Sequence, residues 1–450
     1  LLAKDVRYIV DHSDAVLVFA EDESQLDKLL SIRSEIPDVR RVILFSGTPP
    51  DDDWVMSYED FLNLGVGVPD EVLDARIADV NADDVATIVY TSGTTGHPKG
   101  ALYSHRSTVL HALLVTSVLG SALPEGSSVL PVVPLFHVNA WGLPYTAPLL
   151  GLNMVMPGAA LDGPSLFKLM DKEKVHSAWG VPTVWMGLLA EIKTQGRKPE
   201  GFADVVVGGS AAPRSMIETF EKLGVEVGHA WGMTEMSPIG THGVMPNWVK
   251  QLPFDQMIDK KALQGRRVFG VELKIVDDHG NRLPHDGKAM GELYVRGNTI
   301  VSGYFKNPEA SEKAIDAEGW FGTGDIAYID TDGFLSLQDR YKDLLKSDGE
   351  WISSIDLENV AMSHPAIANC AAIAMPHPKW DERPVLIAVP SGDARPSLAE
   401  IHEHMSEHFA KWQLPDDLIW IEDLPLTATG KTSKLTLRQQ FADYKLPDLR

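Results

Sequence analysis

Thr91-Ser92-Gly93-Thr94-Thr95-Gly96-His97-Pro98-Lys99-Gly100 is the stretch on which the reading of this chain turns. It follows Ala86-Thr87-Ile88-Val89-Tyr90, a β-branched run that reads as a strand. Four hydroxyls, three glycines and a lysine fall within ten residues. Glycine lets backbone N–H groups turn toward an anion, hydroxyls donate further bonds, and lysine supplies charge. The stretch therefore predicts a phosphate-binding loop. It is not of the Walker type, because Lys99 follows proline and the spacing differs. A Gly/Ser/Thr cluster alone fits a plain surface loop equally well. The strand before it and the lysine in its last turn favour phosphate.

Working outward, Ala15 to Ala20 and Arg41 to Phe45 read as buried strands separated by polar helical segments, which suggests βα units. Ala203 to Gly209 is a further strand, ending in glycines. Later the pattern changes. Val271 to Asp277 and Gly291 to Arg296 alternate, and the turn Asp330-Thr331-Asp332-Gly333 follows closely, as in antiparallel hairpins. After Arg340 a charged segment leads into a helix, a strand and a further helix, a small α+β tail.

Composition narrows the function classes. The 450 residues carry 63 Asp+Glu against 40 Lys+Arg, a formal charge of −23. Such an acid excess argues against a nucleic-acid partner, since phosphate neutralisation needs a basic face. The single cysteine, Cys370, allows neither an internal disulfide nor a cysteine-rich zinc site, so a reducing, cytoplasmic location is expected. No apolar run reaches the length of a membrane span, so no integral membrane segment is expected. The start, Leu1-Leu2-Ala3-Lys4-Asp5, has neither a signal-peptide pattern nor a Met, so the numbering is expected to begin inside a longer protein. One window opposes the acidic trend: Lys431, Lys434 and Arg438 stand together with no acid between them.

Five further segments accompany the loop in order. They are Trp231-Gly232-Met233-Thr234-Glu235, Gly303-Tyr304-Phe305, Gly319-Trp320-Phe321-Gly322-Thr323-Gly324-Asp325, Asp339-Arg340-Tyr341-Lys342-Asp343 and Thr429-Gly430-Lys431. Together with Thr91 to Gly100 they resemble the adenylate-forming superfamily of acyl-CoA synthetases, luciferases and peptide-synthetase adenylation domains, over nearly the whole chain. The resemblance implies an α/β fold: a large N-terminal domain of βα-layered sheets with a distorted antiparallel β-barrel-like part, residues 1–341, then a small mobile α+β C-terminal lid, residues 342–450. It implies ATP/AMP, Mg²⁺ and coenzyme A as cofactors or co-substrates and a small carboxylic acid as substrate. A homodimer is compatible with it.

The resemblance also implies roles. Thr91, Ser92, Gly93, Thr94, Thr95, Gly96 and Lys99 would cradle phosphates. Glu235 matches the Mg²⁺ carboxylate, Thr91 the hydroxyl that assists it, and Thr234 the α-phosphate contact. Gly209, Ser210 and Ala211 would lie along adenine and the acyl carbonyl. His229, Ala230, Trp231 and Gly232 fall where the family touches the nucleotide, with Trp231 where tyrosine is commoner. Asp325 would accept both ribose hydroxyls, Lys342 would be the hinge, and Arg340, Lys346 and Trp351 would face the nucleotide. Lys431 is the expected adenylation catalyst, since an ammonium can balance charge on both the carboxylate and the α-phosphate. Read without the resemblance, Glu235 suits a first helical turn, Asp325 a turn, and Lys431 an exposed lysine.

Pro134-Leu135-Phe136-His137-Val138-Asn139-Ala140-Trp141 resembles the medium- and long-chain fatty-acyl-CoA synthetase branch, where the matching Trp gates an acyl tunnel. That branch also holds ligases for 3-methylmercaptopropionate. His137, Val138, Trp141, Pro182, Gly209 and Met233 are the expected substrate contacts, with Trp179 and Trp185 as further wall. Asp348 replaces a family glycine in Lys346-Ser347-Asp348-Gly349-Glu350-Trp351, and the thioester step is expected to survive it. His404 and His408 have an i,i+4 spacing but no His-Glu-x-x-His order, so a wet helix face is expected rather than zinc. The competing functions are loading of a carrier protein, a luciferase-like oxygenase, and a non-catalytic AMP-binding module.

Overall fold

The β-branched runs near the start form the parallel sheet that their pattern predicts. Strands β1 (Leu17–Ala20), β2 (Arg41–Leu44) and β3 (Val55–Ser57) lie side by side, with Val42 opposite both Val18 and Val55. Helices Ala3–His12 and Glu23–Ser31 pack on it through Val10, Leu26 and Leu29. The second helix starts at Asp22, whose carboxylate accepts the Gln25 N–H at 3.0 Å, an N-cap bond that satisfies an otherwise orphaned donor. Strands β4 (Val85–Thr91) and β5 (Lys99–Ser104) pair antiparallel, with Thr91 opposite Lys99.

The computed structural model describes residues 1–91, 97–120, 122–340, 345–347, 350–427 and 430–447, with backbone only at 346, 350 and 351. Two units divide the chain: Leu1–Thr108 with Val301–Lys313, and Val109–Ile300 with Ala314–Arg450. The elements above belong to the first.

The second unit is built on a seven-stranded sheet. Its strands are β6 (Ser128–Pro131), β7 (Asn153–Met154), β8 (Val175–Gly180), β9 (Asp204–Val207), β10 (Glu226–Gly232), β11 (Ile239–His242) and β12 (Arg266–Arg267). They run in the order β12-β11-β10-β9-β8-β6-β7. β7, β6, β8, β9 and β10 are parallel, β11 is antiparallel to β10, and β12 is antiparallel to β11. Every residue of β9 is buried, as expected of a parallel strand covered on both faces. Leu130, Ala178, Val205 and Val207 pack with Trp185, Phe202 and Phe220 in its main core.

Strands β13 (Val271–Val276), β14 (Gly291–Gly297), β15 (Phe321–Ile329) and β16 (Leu335–Arg340) then form an antiparallel meander in that order. The sequence-based expectation was a barrel-like part. Among the described residues the sheet is open, with β13 and β16 as its two edges and no closed barrel. The smaller C-terminal part pairs β17 (Leu345–Ser347), β18 (Glu350–Ile352), β19 (Ile367–His377), β20 (Asp381–Pro390) and β21 (Asp417–Trp420) in one sheet. Alternate residues of β19 and β20 face opposite ways: Ala372 and Leu386 meet Leu357, while Ile373 and Val385 meet Leu437. Among the described residues, no helix is long and apolar enough to cross a membrane.

Candidate active site

The carboxyl ends of β9 and β10, the middle of β15 and the last residue of β16 converge in the second unit. β9 runs into Gly208 and Gly209, and Gly209 has φ +83, a left-handed conformation that glycine adopts without steric cost. Gly209 and Ser210 are exposed and Ala211 half-buried, so this backbone lies open. β10 ends at Trp231 and Gly232, and the 3₁₀ turn Thr234–Met236 follows, with Thr234 and Glu235 both buried.

Asp325 on β15 stands directly opposite Arg340 on β16. Asp325 is 4% exposed. Oδ1 pairs with Arg340 Nε at 2.8 Å, and Oδ2 accepts the Trp231 indole N–H at 3.1 Å. Burial pushes the Asp325 pKa up, and Arg340, Trp231 and Lys431 oppose that push. An ionised carboxylate offers about four acceptor positions, so beside its partners among the described residues about two remain for other donors. Arg340 also donates from Nη1 to the Thr323 carbonyl at 3.2 Å.

Lys431 reaches the same place from the C-terminal part. A Cβ added to Gly209 would lie 3.1 Å from Lys431 Cε and 3.1 Å from Val181 Cγ1, so the bare glycine makes room for the lysine stem. Burial, and then the Arg340 charge, lower the Lys431 pKa to about 8, with Asp325 opposing. The supporting loop is tied down: Thr183 Oγ1 donates to the Gly430 carbonyl at 3.2 Å, and Lys431 N–H to Thr427 Oγ1 at 3.2 Å. His137 also faces Lys431. Burial first, and the lysine charge second, lower its pKa to about 4, so the ring is neutral at pH 7.

His137 opens a strained turn. Val138, Asn139, Ala140, Trp141 and Gly142 have φ of 49, 51, 48, 57 and 76, one turn of left-handed helix. Each non-glycine residue there costs about 1–2 kcal/mol, and a β-branched valine is an outlier. Contacts hold the turn in place. Trp141 Cη2 lies 3.1 Å from where a Cβ on Gly208 would be. Asn139 Nδ2 donates to Tyr145 OH at 2.9 Å. His111, 1% exposed, lies against Gly142, and its Nε2 accepts the Ile239 N–H at 3.4 Å. Strain of this kind is stored at functional sites when surrounding structure over-determines it.

His229 is fully used behind the open backbone. Its Nε2 accepts the Ala212 N–H at 3.3 Å, and Nδ1 meets the Ala262 carbonyl at 3.0 Å. Burial lowers its pKa to about 4. Ala230 and Met233 are half-buried, and Pro182 is buried at the start of helix Pro182–Gln195. Trp179 donates its indole N–H to Ser177 Oγ at 3.1 Å, and that hydroxyl bonds the buried Asp204.

In the first unit, Thr91 ends β4 and Lys99 begins β5, with its ammonium 4.9 Å from the centroid of Tyr304. Tyr8 stacks on His97 at 4.2 Å and donates from OH to the Pro98 carbonyl at 3.2 Å. The Phe305 N–H bonds the Gly100 carbonyl at 2.8 Å, so the Gly-Tyr-Phe segment packs beside β5. Ser92 to Gly96, Lys342 and Asp348 lie outside the described residues. Lys346 and Trp351 pair by backbone across β17 and β18. Of the i,i+4 pair His404 and His408, His404 Nε2 meets the Ser363 hydroxyl at 2.8 Å and the Val360 carbonyl at 3.2 Å.

Sequence reasoning missed His111, Thr183, Thr427 and the handedness of the 138–142 turn. Only Asn139 and Gly142 there carry a left-handed tendency, too little to signal it.

The first 305 residues match the family described as AMP-binding enzyme, and residues 356–431 match the AMP-binding enzyme C-terminal domain. The chain is 45% identical to a 3-methylmercaptopropionyl-CoA ligase of Ruegeria lacuscaerulensis, over 98% of this chain and 81% of the relative. It is 43% identical to a medium-chain-fatty-acid–CoA ligase of Ectopseudomonas oleovorans, over 99% and 81%. The crystal structure of the anthranilate CoA ligase AuaEII with anthranoyl-AMP has the same fold. Its TM-score is 0.84 at 24% identity, over 99% of this chain and 82% of that one.

Proposed function

Because the chain belongs to the AMP-binding enzyme family, we propose that it is an acyl-CoA ligase that joins a carboxylic acid to coenzyme A at the expense of ATP. The observation that carries this reading is Lys431 brought beside Asp325, Arg340 and the open Gly209 backbone. In the first half-reaction a carboxylate oxygen bonds the α-phosphorus of ATP and the bond to pyrophosphate breaks. In the second, the sulfur of CoA bonds the acyl carbon, its proton goes to solvent, and AMP leaves with the electron pair.

The residues divide that work. Asp325 has acceptor capacity left for the two ribose hydroxyls. Lys431 balances charge as the carboxylate approaches the α-phosphate, in a site where water is thinned and fixed charges act strongly. The Gly209 to Ala211 backbone faces the acyl-adenylate, the His229 ring braces it from behind, and Trp231 borders the adenine. Thr234 would contact the α-phosphate, and the sequence of Thr91 to Gly96 with Lys99 suits phosphate binding. Glu235 suits Mg²⁺, a hard cation that takes one or two carboxylates and completes its shell with phosphate and water. Among the described residues, no group of three or more His, Cys, Asp or Glu could hold a metal ion, so Glu235 would share the cation with phosphate and water. When bound, Mg²⁺ would neutralise phosphate charge.

For the acid, we propose a medium- or long-chain fatty acid or 3-methylmercaptopropionate, in keeping with the two relatives. His137, Val138, Trp141, Pro182 and Met233 would line its path. The functional division is assigned to residues 341/342, with a cytoplasmic enzyme able to form a homodimer. Pyrophosphate release across acids from propionate to palmitate, with 3-methylmercaptopropionate included, tests the reading. A clear maximum is expected, with acyl-CoA accumulating when CoA is added. A flat response would sink it.

A further inference from the structure

The helix Lys434–Gln440 breaks two local rules at its first residue. A cation stands at the positive end of the helix dipole, where acids are favoured. Its side chain is also only 15% exposed, although lysine ordinarily stays wet. Violations of this kind mark places where something other than local stability is served.

The Lys434 ammonium pairs with Glu358 Oε1 at 2.7 Å and donates to Ser354 Oγ. Ser354 in turn donates its hydroxyl to Asp339 Oδ2, and its own N–H reaches the same oxygen at 3.1 Å. Glu358 Oε1 also accepts the Ala372 N–H at 2.8 Å. A buried relay therefore runs from Lys434 through Ser354 to Asp339, the residue just before Arg340 on β16. At its other end, Lys434 follows Lys431 by three residues. The intervening backbone has little freedom: Thr427 N–H donates to the Lys431 carbonyl at 2.7 Å, and Ser433 N–H to the Pro425 carbonyl at 2.7 Å. Buried ion pairs add little stability compared with apolar packing, and their best-attested use is to fix register.

We propose that Lys434 is a positioning residue for adenylation: through Ser354 and Asp339 it fixes the loop that carries Lys431 against the strand that carries Arg340. The inference rests on the acyl-CoA ligase reading and adds to it a residue that touches no substrate.

The test separates the half-reactions, using pyrophosphate release from ATP and acid, and acyl-CoA formation from supplied acyl-AMP and CoA. Ser354→Ala breaks the relay while keeping the Lys434–Glu358 pair. Its kcat for adenylation is expected to fall roughly tenfold, with KM for ATP within about twofold, the mark of misplacement rather than lost binding. The thioester step should stay within about twofold. Among the described residues, Asp325, Arg340 and His137 are the charged and titratable groups facing Lys431. A loosened Lys431 becomes better solvated, so the alkaline limb of kcat/KM should rise from about 8. Lys434→Met should act in the same direction and more strongly, and Lys434→Arg should retain most of the rate. If Lys434→Met fails to fold because Glu358 is left unpaired, Ser354→Ala decides alone. Wild-type adenylation in Ser354→Ala would overturn the proposal. So would an equal fall in both half-reactions with the limb unmoved. A wild-type enzyme that releases no pyrophosphate with any acid would instead overturn the ligase reading beneath it.

Discussion

At the residue scale, the site depends on a few side chains held under electrostatic tension. Lys431 works as a cation, yet its surroundings lower its pKa to about 8. Adenylation should therefore be full below that value and fall as the pH rises through it, because deprotonation removes the charge. The kcat/KM profile reports the free enzyme and checks this. Lys431→Ala should cut adenylation by about 10²–10³, the usual effect of removing a transition-state charge partner, while AMP affinity measured by calorimetry stays near wild type. Gly209→Ala should lose at least roughly tenfold in adenylation. Its new methyl would press on Lys431 Cε and Val181 Cγ1 at 3.1 Å from a left-handed backbone. Unchanged pyrophosphate release by that variant would show that the lysine stem does not lie where this geometry has it. The ordered motifs and the resemblance they carry singled out these positions in the sequence; read alone, Asp325 suits a turn and Lys431 an exposed lysine. The partners of His229 were not legible, since its two bonds join Ala212 and Ala262, distant in sequence and alike in giving only backbone atoms.

At the element scale, the turn from Val138 to Gly142 is the least expected feature. Its handedness follows from tertiary contacts with His111, Gly208 and Tyr145 rather than from propensity, so no window of sequence could have announced it. Alternating strands and tight turns made the antiparallel meander legible, whereas closure depends on whether the two edges meet, and among the described residues they do not. Gly142→Ala is the sharpest probe of the turn. A methyl there would lie 2.7 Å from His111 Nδ1, at φ +76. The expected cost is about 1–3 kcal/mol from strain and overpacking. Because the turn carries His137 and Trp141, discrimination among acids in the pyrophosphate assay should weaken as well. A variant with wild-type melting and wild-type acid preference would show the turn to be incidental.

At the scale of the whole molecule, three buried histidines of the second unit tie stability to acid. Burial holds His111 at about 3, and His229 and His242 at about 4, below the ordinary value near 6.5. Protons then bind the unfolded chain first, so stability is full above about pH 6.5 and falls as the pH drops toward 4. Each histidine contributes a slope of about 1.4 kcal/mol per pH unit in that window. Neither ring nitrogen of His242 has a hydrogen-bond partner among the described residues. His242→Leu should therefore raise the melting temperature at pH 5 and flatten its fall between pH 7 and 5. A steeper fall would contradict a neutral, unpartnered ring. The pairing of Asp325 with Arg340 carries a further consequence, for evolution rather than chemistry. The two are brought face to face by the turn at Asp330 to Gly333 together with a bulge that sets one extra residue into β16 between Leu337 and Asp339. Side chains alternate along a strand, so a one-residue slip of register, from a longer turn or a lost bulge, would send the arginine to the opposite surface. This outer bend is a ruler, and its length should drift far less between lineages than surface loops ordinarily do.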